Sequence, residues 1–108
     1  MRRKPEAVFQ SRIIAHLREL YGARFWCANQ VGGIGARAGI PDLLICIDGH
    51  FIALEIKNPE TGGRMGPMQA IEIAAIRKAG GLAEVIRCLN DLKCITDRFK
   101  PTQMFIPR

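Results

Sequence analysis

An Asp48-Gly49 dipeptide stands between two apolar runs, residues 43–47 and 51–56, and this pattern constrains the chain more than any other. Asp-Gly between apolar runs is the strongest short-range signal for a two-residue hairpin turn, because such turns need positive φ at both central residues. With that turn, Ile47 faces His50, and the register carried outward sets Asp42 opposite Glu55, with β-carbons roughly 4.5 to 5.5 Å apart. Side chains alternate with period 2, so Lys57 joins the acids on one face. A turn at Gly49-His50 would instead set Asp42 opposite Lys57 and still keep all three together.

The same parity gives Leu43, Ile45, Ile47, Ile52, Leu54 and Ile56 to the opposite face, an aliphatic surface suited to a core. Leu44, Cys46, Phe51 and Ala53 make the acid-bearing face apolar too, so the sheet is expected to be covered on both sides, with charge at one end. Two carboxylates at a partly dry sheet end repel and resist ionisation unless a cation or Lys57 balances them. A divalent metal is the economical answer.

Before the hairpin, Val8, Phe9, Ile13, Leu17 and Leu20 recur at helical spacing and predict a helix over residues 5–20, closed by Gly22. Glu6 and Gln10 share a face of its first turns. Residues 24–29 read as a short strand, and a glycine-rich loop covers residues 31–39. Residues 33–38 match the dinucleotide-binding fingerprint, but that motif must open a helix, and here Pro41 and a strand follow at once. Pro41 is tolerated as the first residue of a strand.

After Lys57, residues 58–66 have turn chemistry, and Pro67 is suited to begin a helix running through Gln69, Ile73 and Ile76 to Gly80-Gly81. Gln69, in its first turn, can point back at the acids. Residues 82–86 suggest a fourth strand and residues 89–99 a third helix, capped by Asn90 or Asp91. The tail, residues 102–108, is apolar enough to dock on its own domain or on a second copy.

One hundred and eight residues, 48% of them hydrophobic, suit one domain over residues 1–108. A formal net charge of +6 favours an anionic partner, nucleic acid above all, although a merely soluble surface is the plainer reading. The basic residues are scattered rather than gathered on an amphipathic helix, which argues against a membrane surface. Cys27, Cys46, Cys88 and Cys94 lack paired metal-ligand spacing and read as buried, reduced thiols. No apolar run approaches a membrane span, and the expected location is the cytosol or nucleoid of a bacterial or phage-encoded protein.

The order helix, three strands, helix, strand, helix, with an acid at a proline-initiated strand and Glu55-Ile56-Lys57 on the next, resembles the PD-(D/E)XK nuclease superfamily. More closely it resembles the virus-type replication-repair nuclease (VRR-NUC) family, in its small standalone form. The matching pieces are Glu6 with Gln10, the run Gly39-Ile40-Pro41-Asp42-Leu43-Leu44, Ala53-Leu54-Glu55-Ile56-Lys57, Gly66-Pro67-Met68-Gln69, and Ala79-Gly80-Gly81.

The resemblance implies an α/β, restriction-endonuclease-like core with a four-stranded mixed sheet flanked by helices. It implies Mg²⁺ or Mn²⁺ held by Asp42, Glu55 and the main-chain carbonyl of Ile56, with Glu6 acting through water or at a second metal. Lys57 would orient or help deprotonate the attacking water, and Gln69 would position lysine, water or phosphate. Gln10, Arg37 and Arg64 are the expected nucleic-acid contacts. The implied activity is a homodimeric nuclease of branched DNA, first of all a Holliday-junction resolvase. Flap or nicked-duplex cleavage, site-specific duplex cleavage, and a DNA-binding module that never cuts are the alternatives.

Overall fold

The computed structural model describes residues 5–30, 37–60 and 63–102. Its elements run α1 (Pro5–Tyr21), β1 (Phe25–Asn29), β2 (Leu43–Ile47), β3 (His50–Ile56), α2 (Pro67–Lys78), β4 (Leu82–Ile86) and α3 (Lys93–Thr96), with 3-10 turns at Gly22–Arg24 and Leu89–Leu92. The four strands form one mixed sheet in sequence order. β1, β2 and β3 are antiparallel neighbours, whereas the crossover through α2 makes β4 parallel to β3.

The hairpin register is the one expected, with Ile47 opposite His50 and Leu43 opposite Leu54. Asp48 and Gly49 have φ of 52° and 82°, so both carry the positive φ that this turn demands. Arg24 clamps the turn with two parallel hydrogen bonds, Nε to Asp48 Oδ1 at 2.7 Å and Nη2 to Asp48 Oδ2 at 2.6 Å.

α1 and α3 cover one face. Phe9, Ile13, Leu17 and Tyr21 of α1 and Ile95 of α3 meet the aliphatic row of β2 and β3 together with Leu82 and Ile86. Each such side chain removed from water contributes about 1.5 to 3 kcal/mol before ordering costs. Tyr21 ties the far end of this layer, its hydroxyl donating to the Phe99 carbonyl at 2.6 Å. α2 covers the other face, where Ile73 and Ile76 rest on Ala53 and Ala83.

Several expectations change in detail. α2 packs over β3 and β4, and on the same face Trp26 remains 61% exposed and Phe51 47% exposed, so the sheet is not covered throughout on both sides. Val8 is exposed as well, and Tyr21 takes a core position. The third helix is shorter than expected, a 3-10 turn followed by four α-helical residues. Asp91 caps it from inside the first turn, as the N3 member of a capping box, by reaching back to accept the N–H groups of Arg87 and Cys88. Cys88 is exposed, and Cys27, Cys46 and Cys94 are half-buried thiols. Among the described residues no helix is long and apolar enough to cross a membrane. Most of the glycine-rich loop, and the tail from residue 103, lie outside the described residues.

Candidate active site

The polar cluster lies where β2 begins and β3 ends. Asp42 follows the buried Pro41 and is held through the backbone on two sides. Its Oδ2 accepts the Ile56 N–H at 2.8 Å, and its carbonyl accepts the Gln30 N–H at 2.8 Å. The antiparallel register continued outward from Leu43 and Leu54 sets Pro41 opposite Ile56, a position at which both backbone groups of Ile56 turn toward β2. Proline has no N–H, so it offers nothing to the Ile56 carbonyl.

Glu55 points to the opposite face from Ile56, toward α2, and is only 3% exposed. Its Oε2 accepts a hydrogen bond from Gln69 Nε2 at 2.6 Å and lies 3.4 Å from Lys57 Nζ. Its Oε1 is buried with no hydrogen-bond partner. Burial, and next the neighbouring Asp42 carboxylate, push the Glu55 pKa up from 4.5 to about 7, while Lys57 pulls it down.

Lys57 is 8% exposed and is fixed at both ends. Its N–H extends the parallel ladder to the Ile86 carbonyl at 3.0 Å, and its Nζ donates to Gln69 Oε1 at 3.0 Å. Gly63 covers the stem between them. A β-carbon there would stand 3.2 Å from Lys57 Cδ, on a backbone with φ +56°.

Gln69 joins these parts because α2 begins at Pro67 and puts it in the first turn. Its Oε1 also accepts the Gly66 N–H at 2.9 Å. One amide therefore satisfies an orphan donor at the helix start and bridges carboxylate to ammonium, and only this orientation of the amide suits both neighbours.

The remaining expected residues are placed less centrally. Glu6 is exposed in the first turn of α1, and Gln10 is half-buried in that same helix, which packs on the other face of the sheet. Among the described residues no third His, Cys, Asp or Glu joins Asp42 and Glu55 in a group able to hold a metal. An open groove of about 600 Å³ separates the first turns of α1, at Pro5 and Phe9, from Pro59 and Leu89 at the same end of the sheet. Arg64 is exposed just ahead of α2. Arg37 pairs with Glu72 of α2, a buried acid that the motif reading passed over. The available signal was its place on the inward stripe of Gln69, Ile73 and Ile76, where an acid needs a partner.

The donor set fits a hard divalent cation. A buried carboxylate oxygen without a partner, a facing carboxylate and a carbonyl opposite proline are all oxygen donors, which suit Mg²⁺ or Mn²⁺ rather than a thiolate- or imidazole-bound metal. Mg²⁺ keeps several waters, so two protein carboxylates suffice.

No protein-family model matches the sequence, and no curated protein matches it. Solved structures do. One named "VRR_NUC domain" aligns at a TM-score of 0.71 with 21% identity, over 90% of this chain and 99% of its own. Another named "VRR_NUC domain protein" aligns at 0.68 with 17% identity, over 93% of this chain and 91% of its own.

Proposed function

We propose that this chain, which carries the fold of the VRR_NUC domain, is a metal-dependent endodeoxyribonuclease of the PD-(D/E)XK type that cuts branched DNA as a homodimer. The observation that carries the reading is the buried Glu55 and Lys57 pair bridged by Gln69 beside the half-buried Asp42, with Glu55 Oε1 left unpaired. An exposed ion-pair cluster would need neither burial nor an orphan oxygen.

Asp42, Glu55 and the Ile56 carbonyl would hold the Mg²⁺ or Mn²⁺, with Glu6 contributing through water. Bound there, the ion supplies Lewis-acid stabilisation of phosphoryl charge and makes water more acidic. The chain's own groups do the positioning. Lys57 donates to Gln69 and stands 3.4 Å from Glu55 Oε2, an arrangement that leaves N–H capacity for the attacking water or a phosphate oxygen. Gln69 keeps that ammonium from turning away, and α2 keeps Gln69 in place. Specificity would come from phosphate contacts and from a two-fold protein matching a two-fold junction. A Holliday junction is the first substrate on this reading, with Gln10, Arg37 and Arg64 as backbone contacts.

The test compares wild type with Asp42→Ala on four-way junction, flap, splayed and plain duplex DNA, in Mg²⁺, Mn²⁺ and EDTA. Symmetric paired nicks on the junction, lost in Asp42→Ala and in EDTA, are expected, with a dimer mass by sedimentation. Preference for plain duplex would overturn the junction reading. Binding without cleavage on every substrate would make the chain a non-cutting DNA-binding module.

A further inference from the structure

We propose that Glu72 is a positioning residue that holds the Arg37 guanidinium at the rim of the site, where it takes a phosphate of the bound DNA strand. The inference rests on the nuclease reading above. Glu72 is 6% exposed, yet it stands in the helix stripe that meets the sheet. Its Oε1 accepts from Arg37 Nη2 at 2.9 Å and its Oε2 from Nε at 2.5 Å, a side-on pair of parallel bonds. A guanidinium has five N–H groups. The pair uses two sides of the fork, on a side chain that is itself 72% exposed, so other N–H groups are left for a second acceptor.

Two further features fix where that cation sits. Glu72 lies one helical turn beyond Gln69, and Arg37 lies on the segment leading into Asp42. Between Arg37 and Asp42, Gly39 has φ +84°, and a β-carbon there would stand 2.5 Å from the Met68 carbonyl. The segment is therefore pressed onto the first turn of α2. Burying a carboxylate is costly unless it is paired and hydrogen-bonded, so Glu72 holds the Arg37 fork against it in one geometry. Lysine could not replace Arg37, because it lacks the planar fork.

Charge gives the test its sign. Glu72→Gln keeps an acceptor but removes one negative charge from a chain already at +6. If Glu72 merely neutralises Arg37, the variant binds DNA more tightly. If it positions Arg37, the variant binds less tightly in spite of the added positive charge. The experiment measures anisotropy of a fluorescein-labelled four-way junction without divalent ions over a salt series, together with single-turnover cleavage in Mg²⁺. Arg37→Ala is expected to raise Kd about tenfold, the size of one charge-assisted hydrogen bond. Glu72→Gln is expected to raise it roughly threefold, and the double variant to be no weaker than Arg37→Ala alone. The slope of log K against log salt is expected to fall by about 0.9, one phosphate contact, in Arg37→Ala and by part of that in Glu72→Gln. Single-turnover cleavage at subsaturating DNA should fall in step with binding in both variants. Glu72→Asp, which keeps the charge on a shorter stem, should also weaken binding and guards against a folding defect in Glu72→Gln. Binding by Glu72→Gln or Glu72→Asp as tight as wild type, or an unchanged salt slope, overturns the proposal. Failure of the nuclease reading looks different: a wild type that neither binds nor cuts any DNA overturns both.

Discussion

Replacing Glu55 with glutamine should stabilise the metal-free protein above neutral pH, although it removes a charge beside Lys57. Folded, the Glu55 carboxyl keeps its proton up to about 7, whereas its ordinary value is 4.5. Between those values the unfolded chain binds fewer protons than the folded one, so stability falls as pH rises. The favourable contribution is complete below about pH 4.5 and lost above about pH 7. At roughly 1.4 kcal/mol for each tenfold change in proton activity, the total loss is about 3 kcal/mol. Glu55 is almost fully buried, so solvent screening takes little from this figure. The value of about 7 already includes the attraction of Lys57, so Glu55→Gln, which cannot ionise, should gain about 3 kcal/mol at about pH 8.

The assay is urea denaturation followed by circular dichroism, in EDTA, from about pH 5 to about pH 8. The advantage of Glu55→Gln over wild type should grow with pH across that range. Mg²⁺ or Mn²⁺ should then raise the stability of wild type and leave the variant nearly unmoved, because an ion that binds only the folded state stabilises by mass action. A variant no more stable than wild type at about pH 8 in EDTA, or a difference that stays level with pH, refutes the account of Glu55 as a desolvated carboxylate awaiting a cation.

Other perturbations separate framework from chemistry. Gln69→Ala should fold yet reduce junction cleavage roughly a hundredfold, since it removes the amide that orients both Lys57 and Glu55; rates at saturating DNA read this out. Gly39→Ala should destabilise by about 1 to 3 kcal/mol in urea melts, from its positive φ and the contact with the Met68 carbonyl. Tyr21→Phe should cost about 1 kcal/mol through the lost bond to Phe99, with cleavage unchanged because that bond lies in the layer on the other face.

The hairpin was legible because its evidence is local. An Asp-Gly turn needs only neighbouring residues, and period-2 alternation then puts Asp42, Glu55 and Lys57 on one face without any knowledge of what covers them. α2 was legible at its start for a similar reason, since Pro67 and the glycines around it punctuate the chain. Its end was legible too, since Gly80 takes φ 99° just beyond Lys78 and Ala79, but the extent of its cover was not. Which half of the sheet a helix shields depends on where the crossover lands, and so Trp26 and Phe51 emerged exposed on a face whose sequence reads as apolar.

Sequence alone determined the identity and parity of the acids, the lysine and the amide, because those follow from short-range backbone geometry. Tertiary structure decided their state. Only packing against α2 dries Glu55 enough to lift its pKa and strand one oxygen, because desolvation depends on everything within a few ångströms rather than on sequence neighbours. Only packing brings Glu72 to Arg37, two residues 35 apart in the chain, and leaves Glu6 on the far layer.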